Sequence, residues 1–415
     1  MSLPNARVRL SRLISASLLM VATSISAEPL PSSSNYALDG MAPAGRWAMR
    51  FEIRANGYDQ RYNDDGGRED LDAAFDGVEL NGAVFPSLAL LGSSATFGTT
   101  ALDTRVDVAR VELMLGYGIN ENLTAGVIIP FTRTRTSVDF SVLGGNVGFN
   151  PAFDPSLPMG PTNFPFAPVG GGASAPLGTA GVKQLLSDPT FGYAYEPIED
   201  PTVTGFDDPT AGVLWRFHKS AADSAVLGMG VRFGVADGDA PDNLLDAPVG
   251  DGSTDLRTRL EYFRDLGAGF DARLLLESKI QTADRATKRV PASGQLLATA
   301  SSKEKLDRDL GDIWEYDIEL GRRWSDWRAA ATWHRYEKGA DEYHSDQGTD
   351  TSTLEANTQV YANQWRASMS WSGINAWRAG ALPLPLILKL EMQKTYGGRN
   401  FPGVRDFYLQ ATTFF

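Results

Sequence analysis

From residue 46 the chain alternates. Trp47, Met49, Phe51, Ile53 and Ala55 are apolar, while Arg50, Glu52, Arg54 and Asn56 between them are polar. A period of two predicts a strand with one apolar face and one charged face. The pattern returns in ARVELMLGYGI, LTAGVIIPF, AGVLWRF, LGMGVRFGV, LRTRLEYF, FDARLLLESK, IWEYDIEL, WRAAATWHRY, QWRASMSW, LILKLEMQ and the final DFYLQATTFF. That predicts about twelve strands.

The links between strands alternate in length. Short ones such as NEN, RDLGAG and GRRWSD follow Gly-, Pro- and Asp-rich stretches near residues 59–104, 137–207 and 281–311. Alternating short turns and long loops predict an all-β, antiparallel up-and-down transmembrane barrel, with short periplasmic turns and long extracellular loops. A soluble β-sandwich shares the strand alternation but not this rhythm of loops. After the first 27 residues no apolar run is long enough for a membrane helix. If the chain spans a membrane, a closed barrel is what satisfies its backbone. Trp47, Trp215, Trp314, Trp327, Trp333, Trp365 and Trp371 all share the apolar parity, as expected of aromatic belts at two interfaces.

The N-terminus sets the compartment. Arg7, Arg9 and Arg12 precede the short apolar run LISASLLMVATSISA, which predicts a secretory signal peptide over residues 1–27. A short periplasmic segment, 28–45, and the barrel, 46–415, follow. The chain has no cysteine, so its rigidity does not come from disulfides. Net charge is −13 and falls to about −16 without the leader's arginines, which argues against nucleic acid as a partner. At the other end, Phe415 continues the apolar parity of Phe407 and Leu409. A last strand ending on an aromatic residue is similar to the sorting signal that barrel-insertion machinery reads.

With the apolar parity toward lipid, the other parity lines the interior. It collects Arg50, Glu52, Arg54, Arg110, Glu112, Arg216, Arg232, Arg257, Arg259, Glu261, Asp271, Arg273, Glu277, Lys279, Glu315, Asp317, Glu319, Arg328, His334, Arg366, Lys389 and Glu391. Two readings stay open for these side chains. They form either a paired ionic network packing the lumen or charge rings along a hydrated path. The Pro-rich stretch FNPAFDPSLPMGPTNFPFAP is the candidate lid, with Phe149, Phe153, Phe164 and Phe166 as its apolar surface over the mouth. TAGVKQLLSDP after it reads as a short helix. The acidic cluster 64–72 reads as solvated charge, with cation bridging to lipopolysaccharide as the alternative.

Enzyme signatures are thin. His218, His334 and His344 are the three histidines, and none lies in a metal or nucleophile motif. No catalytic residue, metal or cofactor is predicted.

The segments GYGINENLTAGVIIPF, DPTAGVLWRF and GDAPDNLLDAPVGDGSTDLRTRLEY recur in the order seen in an outer-membrane family of meta-pathway phenol-degradation operons. The chain resembles that family from about Trp47 to Phe415, apart from large insertions around 59–104 and 137–207. The resemblance implies a channel of the Gram-negative outer membrane that takes up aromatic or other hydrophobic compounds. Passive uptake of small organic solutes is therefore the expected function. A secretion pore for an extracellular polypeptide and a barrel enzyme are the alternatives. Outer-membrane lipid, lipopolysaccharide and the insertion machinery are the expected partners, and the expected state is a monomer.

Overall fold

The computed structural model describes residues 41–415 apart from 237 and 239; the predicted signal peptide and most of segment 28–45 lie outside the described residues. Twelve antiparallel strands form a closed barrel. They are β1 (Trp47–Tyr58), β2 (Thr96–Asn120), β3 (Leu123–Leu143), β4 (Thr210–Lys219), β5 (Asp223–Arg232) and β6 (Asp255–Gly267). The second half comprises β7 (Phe270–Gln281), β8 (Ile313–Trp324), β9 (Trp327–Lys338), β10 (Val360–Ser372), β11 (Leu386–Arg399) and β12 (Arg405–Phe414). Each strand pairs with its sequence neighbours, and β12 closes on β1 from Ala48↔Phe414 to Gly57↔Arg405. The closure runs on to Phe415, which exchanges backbone hydrogen bonds with Trp47 (2.8 and 3.0 Å). No helix among the described residues is long and apolar enough to cross a membrane.

Burial is inverted relative to a water-soluble sandwich. Phe51, Ile129, Trp215, Leu260, Leu274, Ile318, Leu390 and Leu409 are exposed on the outside, while Asp255, Asp271, Asp317 and Asp406 are buried inside. Only an apolar surround makes that distribution favourable, so this is a transmembrane barrel. Tight turns join the strands at one end, except between β10 and β11, where residues 373–385 include a short helix. In the β6–β7 turn Gly267, Ala268 and Gly269 all have positive φ, and a Cβ on Gly269 would lie 2.5 Å from the Arg323 carbonyl.

Two strands reach further than expected. Residues 96–104 and 137–143, read from sequence as loop, continue the β2–β3 ladder from Arg105↔Ser137 to Thr99↔Leu143. Alternation there is obscured by Gly, Thr and Ser, yet the ladder stays hydrogen-bonded. The overhang of β2 beyond its pairing with β1 is about 30 Å along the strand. The long loops fold onto this hairpin. Leu80, Phe85, Leu88, Phe97, Val147, Phe164, Phe166, Val182 and Leu185 form one buried cluster, the main apolar core among the described residues. Helix α1 (Gly178–Ser187), where a short helix was expected, contributes Val182, Leu185 and Leu186 to it. The polar loop near 281–311 also holds a hairpin, residues 284–289 against 303–309.

The candidate pore and its lid

Register puts every predicted interior residue on the inward parity. One row across the sheet reads Glu261, Leu275, Asp317, His334, Gln364. Asp317 is the hub of the wall formed by β6 to β10. It accepts from His334 Nδ1 (2.6 Å) and Arg273 Nη2 (2.7 Å), with Arg366 Nη1 at 3.5 Å. Arg273 also reaches Glu319 (3.3 Å) and Glu261 (3.4 Å), and Arg328 pairs with Glu319 (2.5 Å) and Asp271 (2.6 Å). Above this lie Arg257–Glu277 and Lys279–Glu315, both at 2.5 Å, and the Arg259–Glu261 pair. On the β11, β12 and β1 side Arg54 binds Asp406 (2.8 Å), Glu52 accepts from Gln410, and Lys389 binds Glu391 (2.6 Å).

Not every predicted residue joins the network. Arg216 donates to the Glu121 carbonyl (2.7 Å), and Arg50 lies against the sulfur of Met114 (3.6 Å). Glu112 pairs with Arg110 (3.2 Å), which also reaches Asp207 (2.9 Å). Arg232 serves Asp255 (2.5 Å), Asp251 (2.7 Å) and Asp208 (3.3 Å). Asp207, Asp208, Asp251, Asp255 and Asp406 escaped the sequence reading. Asp406 was findable, since it shares its parity with Tyr408 on the last strand.

One row of the wall carries no side chains. Gly116, Gly126, Gly212 and Gly230 pair in a single row across β2 to β5, and Arg257 sits next in that row. The described end of the N-terminal segment enters beside it. The Ala42 amide donates to Thr124 Oγ1 (3.1 Å), and Met41 packs on Val226, Phe263 and Leu214, all of inward parity. A Cβ on Gly118 would meet the Pro43 carbonyl at 2.1 Å, so glycine there makes room for this segment.

At the opposite end the long loops pack against the β2–β3 overhang. Leu102 and Phe140 pair across the β2–β3 overhang on the inward parity. With Phe75, Val78 and Leu186 they line a cavity of about 100 Å³, completed by Leu244 and Leu245 after β5 and by Leu296 and Leu297 after β7. Thr100 is the polar side chain in this lining; its hydroxyl is bonded to the Phe75 carbonyl and the Val78 amide. The four phenylalanines expected to form the lid surface do not line the cavity. Phe164 and Phe166 are buried in the lid's own core, and Phe149 stacks on Phe166 and Phe191. Phe153 turns in the loop, its amide bonded to Asn150. The rings that do line the cavity, Phe75, Phe85 and Phe140, come from outside the Pro-rich stretch.

Arg289 ties three loops together. It donates to Asp242 (2.6 Å), the Ala194 carbonyl (2.9 Å) and the Tyr193 carbonyl, and lies over the Tyr195 ring at 4.1 Å. Lys303 and Arg289 hold the Asp242 carboxyl below the usual carboxylate range. Among the described residues no group of acidic, histidine or cysteine side chains is arranged to hold a metal.

No family model matches the chain, and no curated protein does. Among solved structures, the chain is similar to the COG4313 outer membrane channel from Pseudomonas putida F1. The TM-score is 0.51 at 10% identity, covering 94% of this chain and 100% of that one. The NalP autotransporter translocator domain from Neisseria meningitidis gives 0.38 at 7% identity over 91% and 90% of the two chains. The TodX monoaromatic hydrocarbon channel mutant gives 0.35 at 12% identity over 92% and 94%. Overlaps as low as these last two carry no argument. The fold shared with the first is that of an outer-membrane β-barrel.

Proposed function

We propose that this protein is a passive outer-membrane channel for small organic solutes, aromatic or hydrophobic compounds among them. The observation that carries the reading is the inside of the barrel. An apolar cavity roofs the mouth, and below it the wall is ionised and partly bare of side chains. Apolar solutes would be collected at the cavity and would then descend along the glycine row. The channel fold of the Pseudomonas putida protein supports this reading. An enzyme is the weaker reading, because the acidic groups of the wall are engaged with arginines rather than facing a cleft. A polypeptide secretion pore is weaker too, since Met41 already packs inside the barrel on Val226, Phe263 and Leu214. Lipopolysaccharide contact by the outer loops, insertion through the Phe415 strand and a monomeric state complete the proposal.

Single-channel recording of refolded protein in a planar bilayer, at two salt concentrations and both polarities, tests it. Ohmic steps that scale with salt are expected. Folded, heat-modifiable protein that passes neither ions nor small aromatic solutes into liposomes would overturn it.

A further inference from the structure

The interior wall sorts its charges by depth. In the Arg54–Asp406, Arg110–Glu112, Arg257–Glu277, Arg259–Glu261 and Lys389–Glu391 pairs, the basic side chain is always the more exposed. The basic members range from 26% to 41% exposed and the acidic ones from 0% to 17%. Lys279–Glu315 is even, at 19% and 20%, and at the loop end of the wall the order reverses in Arg232–Asp251, at 16% and 35%. The hub acids Asp317 and Glu319 are buried behind Arg273, which is more exposed than either. Geometry explains the sorting. Asp and Glu are short and end at the wall, whereas an arginine accepted by such a carboxylate has stem and guanidinium left over to reach the axis. Arg50 adds a positive charge that makes no ion pair with any described carboxylate; its Nη1 lies 3.6 Å from the Met114 sulfur, in the electrostatic reach of Glu52 and Glu261 as well as of Arg259.

We infer that the water-facing surface of the lumen is cationic although the chain as a whole is strongly acidic, and that the pore selects small anions, organic carboxylates in particular. The inference rests on the channel reading and deepens it by naming the charge of the solute. The wall carboxylates neutralise the arginines in sum but stand behind them, so an ion on the axis meets guanidinium first. In a narrow low-dielectric pore the nearest charges dominate, and rings of Arg or Lys favour anions. Arg259 is the most exposed of these cations, at 41%, with Nε on Glu261 and Nη1 only at 3.7 Å from Glu277, and a planar guanidinium of this kind suits a carboxylate.

The test is the reversal potential of the refolded barrel under a potassium chloride gradient, repeated with potassium acetate. Chloride should pass about threefold more readily than potassium, after allowance for screening by salt. Arg50→Gln with Arg259→Gln should bring the ratio close to one. Both changes leave the acids held, since Glu261 keeps Arg273 (3.4 Å) and Glu277 keeps Arg257 (2.5 Å). Arg50→Lys with Arg259→Lys should keep the anion preference, which separates charge from packing. Potassium preference in the wild-type channel, or an unchanged ratio in the folded glutamine variant, would overturn the inference and leave the channel reading standing. Absence of any conductance from heat-modifiable protein would overturn both.

Discussion

Replacing Asp317 with alanine isolates what the ionic wall contributes. The carboxylate takes two short charge-assisted hydrogen bonds, from His334 (2.6 Å) and Arg273 (2.7 Å), and a longer contact from Arg366 (3.5 Å). Two such bonds are together worth about 3–6 kcal/mol. The loss is moderated because Arg273 keeps Glu319 and Glu261, and Arg366 keeps Gln393 (2.5 Å). Asp317→Ala should therefore cost about 3 kcal/mol, the low end for breaking a buried ion pair. Urea unfolding in lipid vesicles, followed by tryptophan fluorescence and by loss of the fast-migrating folded band on gels, measures it. Pairing the change with His334→Ala should give a coupling energy of about 1–2 kcal/mol. A cost below about 0.5 kcal/mol, typical of an indifferent surface site, would refute the reasoning. It would mean that water already satisfies the wall and that its short contacts hold nothing together.

Three further outcomes follow from the structure. Arg289→Ala should free the lid, since one side chain joins three loops; faster protease cleavage of the outer loops with an unchanged barrel band would show it. The same clamp should weaken in acid. Asp242 titrates below its unfolded value, so its stabilisation is present above about pH 4 and is lost as pH falls through the depressed value. Hydrogen exchange of residues 282–312 at two pH values checks this. Finally, Met41→Ala removes the side chain seated on Val226 and Phe263 at the turn end of the lumen, and single-channel conductance should rise.

Much of the barrel was legible in the chain because a strand buries by parity. Alternation alone assigns Arg50, Asp317 or Leu390 to a face, and a closed sheet in lipid leaves one choice for each face. The interior residues were legible for the same reason, their inward direction being a local property. The length of β2 and β3 was not. Gly, Thr and Ser dilute the period there, and what holds the overhang is a ladder between residues distant in sequence. Of the phenylalanines in the Pro-rich stretch, Phe164 and Phe166 are buried and Phe149 stays exposed. Their hydrophobicity demands burial without saying against what, and Leu80, Leu88 and Phe97 come from another loop. Pairing is likewise a tertiary matter. The sequence by itself determined a transmembrane barrel with a charged interior, because period and burial are local. Only the tertiary structure decided which acid sits behind which arginine, where the glycines of four strands line up, and that the N-terminal segment turns inward beside them, because each depends on register between strands.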